Sequence, residues 1–295
     1  MKLKIVIDSS AGLTKKEAEA RGWHYLPLYI TVDGREYEDG VEITSKNFFD
    51  ITKVESVVST SCSSIAKAEE LLKKISTPDS FVLFYPISKH LSSQYQNILV
   101  AANNFENVHV VNSENISTPI IHELVELEIG VKNKEITIQE GIDIIENRTS
   151  REMNNMILFP KFHDNLVRGG RLSPSAAKLI KLLKIIPIIS MKNGKLEKLG
   201  KGRIFNKTVV NATVDAYKRL NSSSEEWVIM FGHSNNPDKD SIMQEITSLV
   251  KNKRPFIELY IPPVIAIHTG LEAITTCFLK LKYDVEEYQF EKIKG

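Results

Sequence analysis

The sequence predicts two α/β units in tandem, the first with a mainly parallel sheet flanked by helices, the second an α+β unit with mixed or antiparallel pairing. Three observations predict this. Short apolar runs alternate with helical patterns over the first half, as in a sheet covered by helices on both faces. Asp33-Gly34 and Asn193-Gly194 are strong hairpin signals, one in each half. At 295 residues the chain is also long for one compact core. A polar helical stretch from Lys132 to Arg151 reads as the connection, which puts the units at 1–150 and 151–295.

Taken in order, Ile5 to Asp8 reads as a buried strand and Thr14 to Gly22 as a helix with a threonine start and a glycine stop. His24 to Val32 reads as a second strand entering the Asp33-Gly34 turn. Thr44 is expected to cap a helix reaching about Lys53. Ile65 to Ile75 and Ser92 to Phe105 have helical spacing, and Phe81 to Tyr85 and Val108 to Val111 are apolar runs of strand length. In the second half Met156 to Phe159 and Lys184 to Met191 read as strands, followed by the Asn193-Gly194 turn. A long amphipathic helix over Ile204 to Leu220 and strands at Val228 to Phe231 and Phe256 to Tyr260 complete the pattern. Ligands of parallel sheets lie beyond the carboxyl ends of the strands, which singles out Asp8-Ser9-Ser10, Pro86 to Ser93 and Asn112 to Ser117.

Composition bounds the function. Hydrophobic residues at 42% and charged residues at 25% are ordinary globular values, and a net charge of +1 gives no case for nucleic-acid binding. Cys62 and Cys277 fit neither a disulfide framework nor a metal site. No run approaches the roughly 20 apolar residues of a membrane span. The expectation is a soluble cytoplasmic protein with no metal, no nucleic-acid partner and no stable membrane insertion.

Six segments carry the functional signal: Ile7-Asp8-Ser9-Ser10-Ala11-Gly12-Leu13; Val32 to Gly40; Thr60-Ser61-Cys62-Ser63-Ser64; Ile87 to Gln96; Leu166-Val167-Arg168-Gly169-Gly170-Arg171-Leu172-Ser173; and Ile267-His268-Thr269-Gly270. In order and spacing this set resembles the DegV family over nearly the whole chain. The resemblance implies two α/β domains with a long-chain fatty acid held between them. It also implies that the acyl carboxylate is presented to a separate ATP-binding fatty acid kinase subunit, which makes acyl phosphate. On that reading the protein is a carrier and not itself an enzyme, and it needs no cofactor. Thr60, Ser61, Ser92, His268 and Thr269 fall to the carboxylate, and Arg171 and Arg203 to the partner and the transferring phosphoryl group. The sequence departs from the family pattern at His90 and Ser93, which stand for glycines, at Cys62 and Ser63, which stand for Gln-Pro, and at Asn112, which stands for aspartate.

The residues themselves agree with a lipid carrier. Burying an acyl chain gains roughly 0.8 kcal/mol per methylene, and its buried carboxylate then needs several donors. Thr60-Ser61, Ser92 and His268-Thr269 each read as lying just ahead of a helix, where hydroxyls and N–H groups face an anion. Each feature also has a plainer reading. A serine or threonine ahead of a helix caps it, Gly169-Gly170 ends a helix, and Arg171 and Lys201-Gly202-Arg203 serve as solvated charge. The alternative activities are a lipid hydrolase using Ser61 or Ser92 with His268, a nucleotide-binding enzyme, and a phosphohistidine carrier at His268. A hydrolase lacks its Gly-x-Ser-x-Gly elbow here, and no glycine-rich phosphate loop follows the first strand.

Overall fold

The computed structural model describes residues 1–53, 55–147, 156–162, 164–180, 185–220, 227–250 and 256–288. The chain divides into two compact units, Met1–Thr149 with Pro262–Val264, and Ser150–Ile261 with Ile265–Gly295.

The first unit is built on β1 (Lys2–Asp8), β2 (His24–Leu26), β6 (Ser80–Tyr85) and β7 (Val108–Val110), a parallel sheet in the order β2-β1-β6-β7. The helices α3 (Ile65–Ile75) and α4 (Gln94–Ala102) pack on one face, where Leu72, Ile75, Ile98 and Ala101 meet Val6, Val82 and Phe84. A separate antiparallel sheet joins β3 (Tyr29–Val32), β4 (Arg35–Glu38) and β5 (Val58–Ser61) in the order β4-β3-β5. The helix α1 (Lys15–Ala20) begins as expected, with Thr14 and Glu17 closing a reciprocal cap.

The second unit has one six-stranded sheet, β10-β9-β8-β13-β11-β12, from β8 (Ile157–Phe159), β9 (Ile186–Lys192), β10 (Lys195–Gly202), β11 (Trp227–His233), β12 (Phe256–Tyr260) and β13 (Ile274–Lys280). Among the described strands of this sheet, only β11 and β12 pair in parallel. The helices Phe205–Lys218 and Lys239–Val250 bury Val209, Val214, Ile242 and Ile246 against Phe159, Phe231 and Ile274. Both predicted hairpin turns form, with positive φ at Asp33 (50°), Gly34 (85°), Asn193 (48°) and Gly194 (72°).

Four local expectations are corrected. The run His24 to Val32 is two strands in two sheets: Pro27 has no N–H to give a ladder, and the Leu28 N–H goes to Ser9 Oγ at 3.1 Å. The helix predicted from Thr44 is confined to α2 (Phe48–Ile51), because Asn47 Oδ1 accepts the Thr44 N–H and folds the segment into a turn. Thr60 and Ser61 lie on β5, paired with Ile30 and Tyr29, and the residue that caps α3 is Ser64, which accepts from Lys67 N. His268 and Thr269 close the helix Pro263–Thr269 instead of preceding one.

Two elements carried too little periodicity to read. The helix α5 (Thr118–Lys132) is buried nearly all round, so it lacks a polar face, and β13 is an interior strand. The predicted connection holds α6 (Ile138–Asn147), and its end, residues 148–151, lies outside the described residues, as does Lys184.

Candidate functional site

In the first unit the polar groups gather at the carboxyl ends of β1 and β6. Asp8 ends β1 and is fully buried; its Oδ1 accepts from Ser10 N (3.0 Å) and Ser10 Oγ (2.5 Å), and its Oδ2 from Ile87 N (2.7 Å). Those bonds tie the first loop to the turn after β6. Burial outweighs them and raises the Asp8 carboxyl to about 6. Ser88 N and Lys89 N in turn donate to Asn115 O and Ser113 O, which brings the third predicted loop to the same sheet end.

Ser92 stands in the turn before α4. Its Oγ accepts the Gln94 N–H at 3.2 Å, closing a serine turn at the entry to α4, and its own proton remains available for an acceptor. Thr60 is half-buried and Ser61 exposed at the end of β5. Immediately after them the buried Ser63 is bonded to Gln94 through both its backbone N–H (2.9 Å) and its hydroxyl (3.1 Å). The structure therefore brings the Thr60–Ser61 strand end and the Ser92 turn to one corner of this unit. The departures His90 and Ser93 lie in that turn. Cys62 is half-buried with its sulfur accepting from Asn97, and the Asn112 amide oxygen accepts from Lys89 Nζ at 2.8 Å.

A buried acid that the sequence reading gave no role lies in the same unit. Asp39 is 1% exposed, and neither carboxylate oxygen makes a hydrogen bond of good geometry. The Ser9 hydroxyl and the Val264 and Gly40 N–H groups are close enough to favour its charge, but burial and the Asp8 charge raise it to about 8. Its signal was its place in the Val32-to-Gly40 motif.

In the second unit, His268 packs on the end of the helix Asp164–Gly169. A Cβ on Gly169 would stand 2.7 Å from His268 Nδ1, so glycine is what allows the imidazole to sit there. Gly170 then turns the chain with φ 67°. Burial first, and the Arg171 charge second, lower the His268 pKa to about 4. It is a neutral imidazole at neutral pH. Arg171 itself is exposed and donates to the Gly169 carbonyl. The structure thus brings the Arg171 charge near His268, two residues whose sequence context predicts different tasks.

Thr269 is 4% exposed, and its Oγ1 has no hydrogen-bond partner among the described residues. The turn after it is fixed by Gly270 (φ 84°) and by Ser234 Oγ donating to Gly270 O at 2.8 Å. Arg203 is exposed between β10 and the helix Phe205–Lys218. Among the described residues no group of three or more acidic, histidine or cysteine side chains is placed to hold a metal, and no helix is long and apolar enough to cross a membrane.

The profile of a family described as "Uncharacterised protein, DegV family" matches residues 2–281. A DegV domain-containing protein of Mycoplasmopsis pulmonis is 40% identical over 287 residues, covering 97% of each chain. One from Staphylococcus aureus is 27% identical over 284 residues, covering 94% of this chain and 98% of its own. Among solved structures, a fatty-acid-binding DegV family protein from Thermus thermophilus superimposes with a TM-score of 0.82 at 22% identity, over 95% of this chain and 100% of that one. A stearic-acid-binding protein from Eubacterium ventriosum gives 0.79 at 22% identity, over 98% and 99%.

Proposed function

The chain belongs to the DegV family, and from that premise we propose that it binds a long-chain fatty acid and presents the carboxylate to a separate ATP-dependent fatty acid kinase subunit. The observation that carries the binding half is the buried, unpartnered Thr269 hydroxyl next to a half-buried neutral His268. A buried hydroxyl without a partner costs about 1–3 kcal/mol, and a carboxylate offers acceptors for both groups. Thr60, Ser61 and Ser92 are the hydroxyl donors assigned to it from the first unit. That related structures are described as fatty-acid-binding supports the ligand class.

Arg203, and Arg171 with its added effect on His268, are assigned to the partner and to the charge that spreads over a transferring phosphoryl group. The protein acts as carrier, and the chemistry belongs to the partner. A Ser/His lipid hydrolase has less support. An imidazole held to about 4 is a weak general base for activating a serine.

The test is organic extraction of the purified protein followed by mass spectrometry. One long-chain fatty acid per chain is expected. A stoichiometric nucleotide or sugar with no fatty acid would reject the reading.

A further inference from the structure

Gln94 opens α4 and is fully buried, an unusual place for a side chain with two polar atoms. Both atoms are used on one residue. Gln94 Oε1 accepts the Ser63 N–H at 2.9 Å and Nε2 donates to Ser63 Oγ at 3.1 Å, while Ser63 Oγ donates onward to Pro27 O at 2.6 Å. One turn later on α4, Asn97 Nδ2 donates to Ser63 O at 2.9 Å and reaches Cys62 Sγ at 3.2 Å. Every polar group of Ser63 is therefore satisfied, and α4 supplies all but one of the partners.

Gln94 faces the other way through its backbone, where its N–H is the group that Ser92 Oγ accepts. One residue thus grips both the segment after Thr60-Ser61 and the hydroxyl of Ser92. The grip depends on the serine. A proline at 63 would offer no N–H to Gln94.

We propose that Gln94, aided by Asn97, is a positioning residue that sets the Thr60–Ser61 strand end and the Ser92 turn in fixed register, so that a hydroxyl from the strand end and that of Ser92 meet one carboxylate. The Gln94 amide has two fixed bonds to Ser63 and little rotational freedom, so it transmits the placement of α4 to β5. Accepting the Gln94 N–H also orients the Ser92 oxygen and leaves its proton for the ligand. This inference rests on the reading that those hydroxyls hold a fatty acid.

The test compares a long-chain fatty acid with the matched fatty alcohol, which has the same tail and no charge, on the full-length wild type, Gln94→Leu and Asn97→Ala. Titration calorimetry gives both affinities. Gln94→Leu is expected to weaken the acid roughly tenfold, the loss of one hydrogen bond to a charged group, and to change the alcohol by less than about twofold. Asn97→Ala is expected to show the same selectivity with a smaller loss, and it serves if Gln94→Leu does not fold. Equal losses for acid and alcohol would make the contact merely structural and overturn the proposal, as would an unchanged affinity for the acid. A wild type that binds neither ligand removes the lipid reading itself, and the inference falls with it.

Discussion

The Nδ1 atom of His268 lies 2.7 Å from the point that a Cβ on Gly169 would occupy. Gly169 sits at the end of a helix without positive φ, so a side chain there strains contacts and not the backbone. Gly169→Ala is expected to displace the imidazole, costing about 1–3 kcal/mol of stability and roughly tenfold in fatty-acid affinity. Its neighbour gives the control. Gly170 has φ 67°, and nothing lies within 4 Å of the place its Cβ would take, so Gly170→Ala costs about 1–2 kcal/mol of backbone strain and leaves affinity unchanged. Urea unfolding and lipid titration on the pair decide it; equal affinity losses would show that His268 is not what Gly169 protects.

The hydroxyls of the first unit are expected to hold the ligand without being its main source of affinity, because the acyl chain contributes most. Ser92→Ala and Thr60→Ala should each weaken fatty-acid binding roughly tenfold without abolishing it. Ser92→Ala should also lower stability by about 1 kcal/mol through the lost bond from the Gln94 N–H. Calorimetry and thermal unfolding separate the two effects. Full affinity in both variants would remove these residues from the site.

Asp39 predicts a pH dependence of stability. Its carboxyl is raised from 3.8 to about 8, so the folded protein keeps a proton that the unfolded chain releases across that window. Stability therefore falls as pH rises from about 4 to about 8. Asp8, raised to about 6, adds to the lower part, and His268, lowered to about 4, opposes it there. From about pH 7 to 8 Asp39 is the largest contributor: Asp8 is mostly ionised in both states, and His24, His233 and His268, all lowered by burial, retain only the tail of their unfolded titration, which acts in the opposite sense. Asp39→Asn should flatten that stretch and be the more stable protein at pH 8 by upward of about 1 kcal/mol. A wild-type stability that is level from pH 7 to 8 would contradict the assignment.

If the proposed function holds, variants of Arg203 and Arg171 are expected to separate handing over from holding. Arg203→Ala should leave lipid affinity within about twofold and cut acyl-phosphate formation with the kinase subunit by tenfold or more. Arg171→Ala should in addition raise the His268 pKa above about 4, because it removes the cation that opposes protonation. Imidazole titration followed by NMR reads that shift. Loss of lipid by Arg203→Ala, with partner activity retained at saturating fatty acid, would reverse the division of roles.

Whatever depends on local spacing and short motifs was legible in the amino-acid order alone. Strand-length apolar runs, the Asp33-Gly34 and Asn193-Gly194 turns and the Thr14 cap are each specified within a few residues, so the α/β architecture could be read before any contact was known. The ordered motifs likewise placed the chain in its family. Folding settled everything that requires distant residues to meet. Pro27 divides one apparent strand between two sheets because the Leu28 N–H has a partner in Ser9. Thr60 and Ser61 lie on a strand because β3 offers them a ladder, and their short polar sequence reads equally well as a helix start. Asp39 becomes a neutral acid, Gln94 a bridge to Ser63, and Arg171 a neighbour of His268 through packing. Burial and electrostatic pairing act through space, and no local pattern encodes which residue will lie on the other side.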